Sequence, residues 1–315
     1  MEWNQRHTMA ECAMDAFCNG QYYESLCFAS GLAHIQGKMS RHERQLMGDI
    51  FLGIINRIIL DVDALKAQLA TKVQALLQLI EPTEEQKMDV QADSDAIKNL
   101  LWHLTTYVHE MADIIRKAQR SYHVDDHEPN IYFLRLLGEC LGIMGHMVNT
   151  DDGLVNIAAS TAFAFGVVYG FNVPPTDPTN LENIISYCIF SVRNMRNIDV
   201  AIELAIYGLT SCTEQLILRS SNPQATRLRL QILESCLEVW IAIRDIDPAV
   251  AVLIDANSDA DGDIELFCLS ACRPPALLPQ PCGFYCSLLL FLLAAGYDYD
   301  AASIGAEQPI RWRMT

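Results

Sequence analysis

A chain of 315 residues carrying a formal charge of -17 has room for one large helical domain with an appendage, or for two ordinary domains. That acidity repels phosphate backbones and anionic lipid surfaces, so it argues against nucleic-acid binding and against membrane docking through a basic patch. The first twenty residues lack the basic start and apolar centre of a secretory signal, and nowhere do eighteen apolar residues run together. The expectation is a cytoplasmic protein. Eleven cysteines would suggest disulfides in a secreted chain, but Cys12, Cys18, Cys27, Cys140, Cys188, Cys212 and Cys236 are scattered among apolar helical positions and read as small buried hydrophobes.

In chain order, Asn4 to Asn19 reads as a first helix punctuated by Gly20, and Tyr22 to Gln36 as a second, with Leu26, Ala29 and Leu32 on one side. Ser40 stands three residues before Glu43, a capping box that starts a third helix. From Leu46 through Ile50, Ile54, Ile58, Val62, Leu65, Leu69, Val73, Leu76 and Ile80, apolar residues recur at steps of three or four, until Pro82 ends the pattern. A helix of roughly 55 to 60 Å follows from that length, a spine for shorter helices to pack on. Pro82 to Asp93 is polar and acidic, and Asp93 or Ser94 can cap a fourth helix carrying Ile97, Leu100, Leu101, Leu104, Val108, Met111 and Ile115. After a charged loop from Val124 to Pro129, Ile131 to Met147 makes a fifth helix.

Thr150 with Asp151 and Asp152 caps a sixth helix, in which Gly166 and Gly170 have the spacing of close helix packing. Pro174, Pro175 and Pro178 then forbid helix continuation. A seventh helix places Leu181, Ile184, Ile185, Cys188, Ile189 and Val192 inward; an eighth covers Val200 to Leu216; a ninth starts at Ser220 to Pro223 and carries Leu228, Ile232, Leu233, Cys236, Leu237 and Trp240. Nine antiparallel helices, short loops and no strand signal make an all-α fold over residues 1–245, with a C-terminal extension over 246–315.

Five segments in order carry a family resemblance: Gly20-Gln-Tyr-Tyr-Glu, Ser40-Arg-His-Glu-Arg-Gln-Leu-Met, Tyr132-Phe-Leu-Arg-Leu-Leu-Gly-Glu, Pro175-Thr-Asp-Pro178, and the helix end at Leu237 and Trp240. Over about residues 4–242 the chain resembles the 14-3-3 proteins. The resemblance implies a concave, L-shaped, nine-helix protomer that pairs as a homodimer and docks phosphoserine or phosphothreonine peptides in its groove. In such a groove two arginines, a lysine and a tyrosine hold the phosphate, and asparagines hold the peptide backbone.

At the matching positions this chain departs from the family. The lysine falls on Leu52 and one arginine on Ile59; the arginine-tyrosine pair falls on Gly142 and Ile143; the asparagines fall on Ser186 and Cys236. Charged hydrogen bonds contribute about 1.5 to 3 kcal/mol each, so losing three cations removes roughly 5 to 8 kcal/mol, about four or more decades of affinity. Phosphate recognition by the family's means is therefore not expected. The apolar wall is kept at Ile185, Ile189, Leu228, Ile232 and Val239, beside Trp240; these residues read either as core or as a groove suited to apolar segments of protein or peptide clients. Arg57, Arg135 and Arg193 are the nearest residues for a rebuilt anion site. At the dimer interface that the resemblance implies, Gln21 replaces an arginine beside Tyr22, while the acidic partner survives as Glu24.

The extension holds three further patterns. Asn257 to Glu265 follows the first nine positions of an EF-hand loop, but Asn257 stands first and Cys268 twelfth, so a solvated acidic linker is the better reading. Cys268, Cys272, Cys282 and Cys286 have a spacing zinc tolerates, without a ribbon pattern around them. Phe284 to Tyr297 is continuously apolar yet short for a bilayer span, and could fold back as a ligand for the apolar groove, leaving partners to bind elsewhere. Enzyme signatures are missing: Gly31 to Lys38 lacks Walker spacing, His109-Glu110 has no second histidine, and His123 and His127 flank aspartates in a loop. The expectation is a binding protein with no catalytic role, cofactor or metal.

Overall fold

The computed structural model of the protein describes residues 2–79, 83–148 and 153–245. Its described residues form ten helices and no strand: α1 (Glu2–Cys18), α2 (Tyr22–His34), α3 (Arg41–Leu77), α4 (Glu84–Gln119), α5 (His127–Met147), α6 (Leu154–Gly170), α7 (Pro178–Arg193), α8 (Ile198–Ser211), α9 (Glu214–Leu218) and α10 (Pro223–Arg244). The all-α class expected from the periodicity is what folds. The acidic linker with its EF-hand-like loop, the CxxxC pairs and the apolar run Phe284 to Tyr297 all lie outside the described residues.

Helix starts follow local chemistry. Ser40 accepts a hydrogen bond from the Glu43 amide at 3.2 Å, and Glu43 answers with a 2.5 Å bond from the Ser40 amide, so the third helix begins where the capping box puts it. Asp177 caps α7 with Pro178 in the first turn, where proline's missing N–H costs nothing. Four boundaries differ from expectation. α4 is capped at Thr83, ten residues before Asp93, because Thr83 and Gln86 form a second capping box, with Glu84 and Glu85 favourably placed at the positive end of the helix. α5 starts at His127, since Pro129 is tolerated inside a first turn. Gly153, at φ +59, is the residue before α6; Thr150, Asp151 and Asp152, expected to cap it, lie outside the described residues. The expected eighth helix is two: after Ser211 the chain leaves helical geometry at Cys212, and Thr213 caps the short α9 through the Leu216 amide. A run of Thr210, Ser211, Cys212 and Thr213, each a weak helix former, makes that break inexpensive.

Successive helices pair antiparallel. Lys72 late in α3 meets Asp89 and Asp93 early in α4. In the next pair Gly145 lies against Asn156 and Gly138 against Phe163, while α6 meets α7 through Gly170 on Asn180 and Gly166 on Asn183. A Cβ at Gly166 or Gly170 would lie 2.6 or 2.1 Å from an asparagine oxygen, so both glycines serve the close packing their spacing suggests. One large cluster joins α1 to α6 around Phe51, Ile54, Ile55, Met111, Phe133 and Phe163; a second joins α7, α8 and α10 around Ile184, Cys188, Ala205, Leu233 and Trp240. Phe190 of α7 belongs to the first cluster and ties the two together, its ring 5.4 Å from that of Phe163.

All seven described cysteines are free thiols. Cys140, Cys188 and Cys236 are buried as expected, but Cys18 and Cys27 are exposed, because each falls on the outer side of its helix, away from the α1–α2 contact made by Ala13 and Ser25.

Candidate functional site

Four helices carry the positions singled out by sequence, and they pack in series: α3 on α5, α5 on α7, α7 on α10. Leu52 and Ile59 of α3 are 6% and 8% exposed; Ile143 of α5 is fully buried; Ile185 and Ile189 of α7 are 8% and 6% exposed; Cys236 and Trp240 of α10 are 5% and 4% exposed. Ser186 is buried as well, and only Leu228, Ile232 and Val239 are half-buried. Most of the proposed apolar groove is thus packed interior. Gly142 is covered too: a Cβ there would come 2.9 Å from the Phe190 ring, and the Gly142 carbonyl accepts from Asn194 Nδ2 at 2.8 Å. An arginine at Gly142 would need Phe190 displaced.

Across the same four helices runs a polar network of which the sequence had singled out Arg135 and Ser186. Ser186 Oγ donates to Glu139 Oε1 at 2.7 Å, and Arg135 Nη1 reaches the same oxygen at 3.3 Å and Glu182 Oε2 at 3.5 Å. Glu182 Oε1 accepts from Arg229 Nε at 2.8 Å and also from Arg229 Nη2. Asp49 of α3 faces Arg135. Tyr132 lies beneath, its ring 5.3 Å from the Arg135 guanidinium and 5.9 Å from that of Arg44, and its hydroxyl donates to the Arg44 carbonyl at 2.7 Å. Gly48 makes room for that hydroxyl, which would lie 2.2 Å from any Cβ at this position.

The electrostatics of the network are those of ions withdrawn from water. Burial pushes the Glu139 carboxyl above the usual range, against the opposing pull of Arg135 and the Ser186 hydroxyl. Burial likewise raises Asp49, opposed by Arg135 and His42, and raises the Tyr132 phenol. Glu139 Oε2 is buried without a hydrogen bond, which penalises its ionised form further. Three carboxylates, Asp49, Glu139 and Glu182, stand against two guanidiniums. An incoming phosphate would have to displace carboxylates already in contact with both arginines.

The three arginines considered for a rebuilt anion site have different partners. Arg57 is exposed and pairs with Asp61 at 3.6 Å along its own helix, Arg135 serves Glu139 and Glu182, and Arg193 meets His146 at 3.1 Å. Glu139, Glu182 and Arg229 were missed; the available signal was Glu139 four residues after Arg135 and Ser186 four after Glu182, charge and hydroxyl inside otherwise apolar helical stripes. At the start of α2, Gln21 and Glu24 are exposed and Tyr22 is half-buried, its ring edge-on to Tyr107 at 6.5 Å. Among the described residues no helix is long and apolar enough to cross a membrane, and no cluster of three metal-ligating side chains occurs.

Compared with known proteins, the chain matches no family model and no curated sequence.

Proposed function

We propose that this protein is a 14-3-3-like adaptor, cytoplasmic and homodimeric, that engages segments of partner proteins without requiring them to be phosphorylated. The observation that carries the reading is the α3–α5–α7–α10 wall. At the positions where the resemblance calls for cations it has Leu52, Ile59 and Gly142, and its two guanidiniums are committed to Glu139 and Glu182. Charge-assisted bonds are what give phosphate readers their selectivity, and a wall with more carboxylates than arginines withholds them. The exposure of Gln21, Glu24, Tyr23 and Trp102 on α2 and α4 supports pairing through that face.

A second reading is favoured by one fact: with Leu52, Ile59, Ile143, Ile185 and Ile189 all at 8% exposure or less, the wall offers little apolar surface. The protein would then be a helical scaffold whose partners bind elsewhere. Titration of the full chain with a labelled phosphoserine peptide and its unphosphorylated twin tests the proposal, with the mass in solution read on the same sample. The expected result is a dimer for which the two peptides differ by less than about threefold, under 1 kcal/mol. Micromolar binding of the phosphorylated form alone overturns it.

A further inference from the structure

The carboxylates of the α3–α5–α7–α10 wall outnumber its guanidiniums, and the surplus falls at two identifiable points. Arg229 is committed: its Nε and Nη2 meet Glu182 Oε1, and its Nη1 donates to the Ala225 carbonyl at 2.9 Å. Arg135 is divided between Glu139 Oε1 at 3.3 Å and Glu182 Oε2 at 3.5 Å. Two acceptors are left over. Glu139 is 1% exposed, and its Oε2 is buried without a hydrogen bond. Asp49, half-buried on α3, makes no hydrogen bond or ion pair among the described residues; Arg135 and His42 act on it only through their fields, and burial holds its carboxyl above the usual range. Arg135 is the guanidinium that acts on both.

A carboxylate placed like Asp49 is destabilising when ionised, because partial burial removes water without supplying a partner. One guanidinium or ammonium arriving there offsets that cost, brings the cations of the wall level with its carboxylates, and leaves Arg135 to Glu139. Two other features suit a cationic visitor. The chain's charge of -17 draws basic segments in and slows acidic ones. On α10, Leu228, Ile232 and Val239 are half-buried at helical spacing, so apolar side chains beside the cation find contact there. α3 and α10 stand three interhelical spacings apart, at most about 30 Å. An extended segment of roughly nine residues covers that distance.

We propose that the wall receives a basic segment of a partner protein, one arginine or lysine of which pairs with Asp49. This rests on the adaptor reading and names the class of partner. To test it, a phage-displayed library of random peptides about twelve residues long is panned on the immobilised full chain, on Asp49→Asn, and on Asp199→Asn, an equal change of charge at an exposed position of α8. Peptides recovered on the parent and on Asp199→Asn should be enriched about threefold or more in arginine plus lysine over the unpanned library, and those on Asp49→Asn should not. A fluorescein-labelled copy of the most enriched peptide should bind the parent, and lose about tenfold or more in affinity when citrulline replaces its arginines and acetyl-lysine its lysines. That comparison needs no variant of the protein, so it decides even where Asp49→Asn fails to fold. Recovered peptides without basic enrichment overturn the proposal and leave the adaptor reading standing. So does an enrichment that Asp49→Asn keeps or Asp199→Asn loses, since the attraction is then to overall acidity, or a peptide indifferent to citrulline and acetyl-lysine. Recovery of no peptide overturns both readings.

Discussion

The two halves of α3 share one apolar repeat and meet different fates. From Arg41 to Val62 the helix is packed by α1, α4 and α5, and Ile50, Phe51, Ile54, Ile55 and Val62 are all within 1% of full burial. From residue 63 to Leu77 nothing is buried: Leu65, Leu69 and Leu76 are half-covered by α4, and Leu77 is 80% exposed. α4 mirrors this, with its first buried residue at Leu104. Ions follow the same division. The inner half holds Arg44, buried against Glu128, and Asp49 beside Arg135; the outer half holds Lys72, 2.9 and 2.7 Å from Asp89 and Asp93. An apolar period therefore tells which face of a helix turns inward, whereas depth depends on how many other layers arrive there.

The comparison is broken most forcefully by truncating one side chain in each half. Phe51→Ala empties a site closed on every side and should cost about 3 to 5 kcal/mol. Leu69→Ala, at a position only half-covered, should cost about 1 kcal/mol or less. Chemical denaturation of both variants against the parent measures the difference, and equal losses would mean that the outer hairpin is covered by something in solution.

Why some of this was readable beforehand can be argued from particular residues. The Ser40–Glu43 and Asp177–Pro178 starts are local events, settled by side chains within three positions, and α7's inward residues follow from spacing alone. Thr83 and Gln86 obey the same capping rule, but they stand in the polar, acidic stretch Pro82 to Asp93, ahead of the apolar period that marks the helix. The site was less legible. Leu52 and Ile59 stood out as missing cations, which suggested an open apolar cup; their burial depends on α1, α4 and α5, and no spacing within α3 reports it. Glu139 is the plainest case. A carboxylate in an apolar stripe announces itself only through Ser186 and Arg135, forty-seven and four residues away.

That carboxylate supplies the next test, on the inner half's side of the comparison. Because burial raises the Glu139 pKa in the folded chain above its value in the unfolded one, its contribution to stability is fully present below about pH 4.3 and is lost as pH rises through the folded value. Asp49 acts in the same direction. Glu139→Gln fixes the neutral form in place, so parent and variant should be closely matched in acid, with the variant gaining relative stability at each step toward neutrality. Denaturant midpoints measured from pH 4 to 8 check the trend; a gap that stays constant or shrinks would show that Arg135 and Ser186 outweigh the burial.

The smallest effect is expected at Lys72. Its hydrogen bonds to Asp93 and Asp89 hold the ammonium above its ordinary pKa, so the stability they contribute is present throughout the neutral range and is lost only as pH climbs past that raised value. Salt is the usable lever instead. Asp89 lies in water at the outer end of the hairpin and Lys72 is itself partly exposed, so mobile ions reach the pair although Asp93 is largely covered, whereas Glu139 is shielded from them. Lys72→Ala should lower the denaturation midpoint slightly at low ionic strength and by nothing measurable at 1 M salt, while the effect of Glu139→Gln should persist in both. If the Lys72 effect survives high salt, its pair is buried in solution, and the outer half of α3 has a third layer after all.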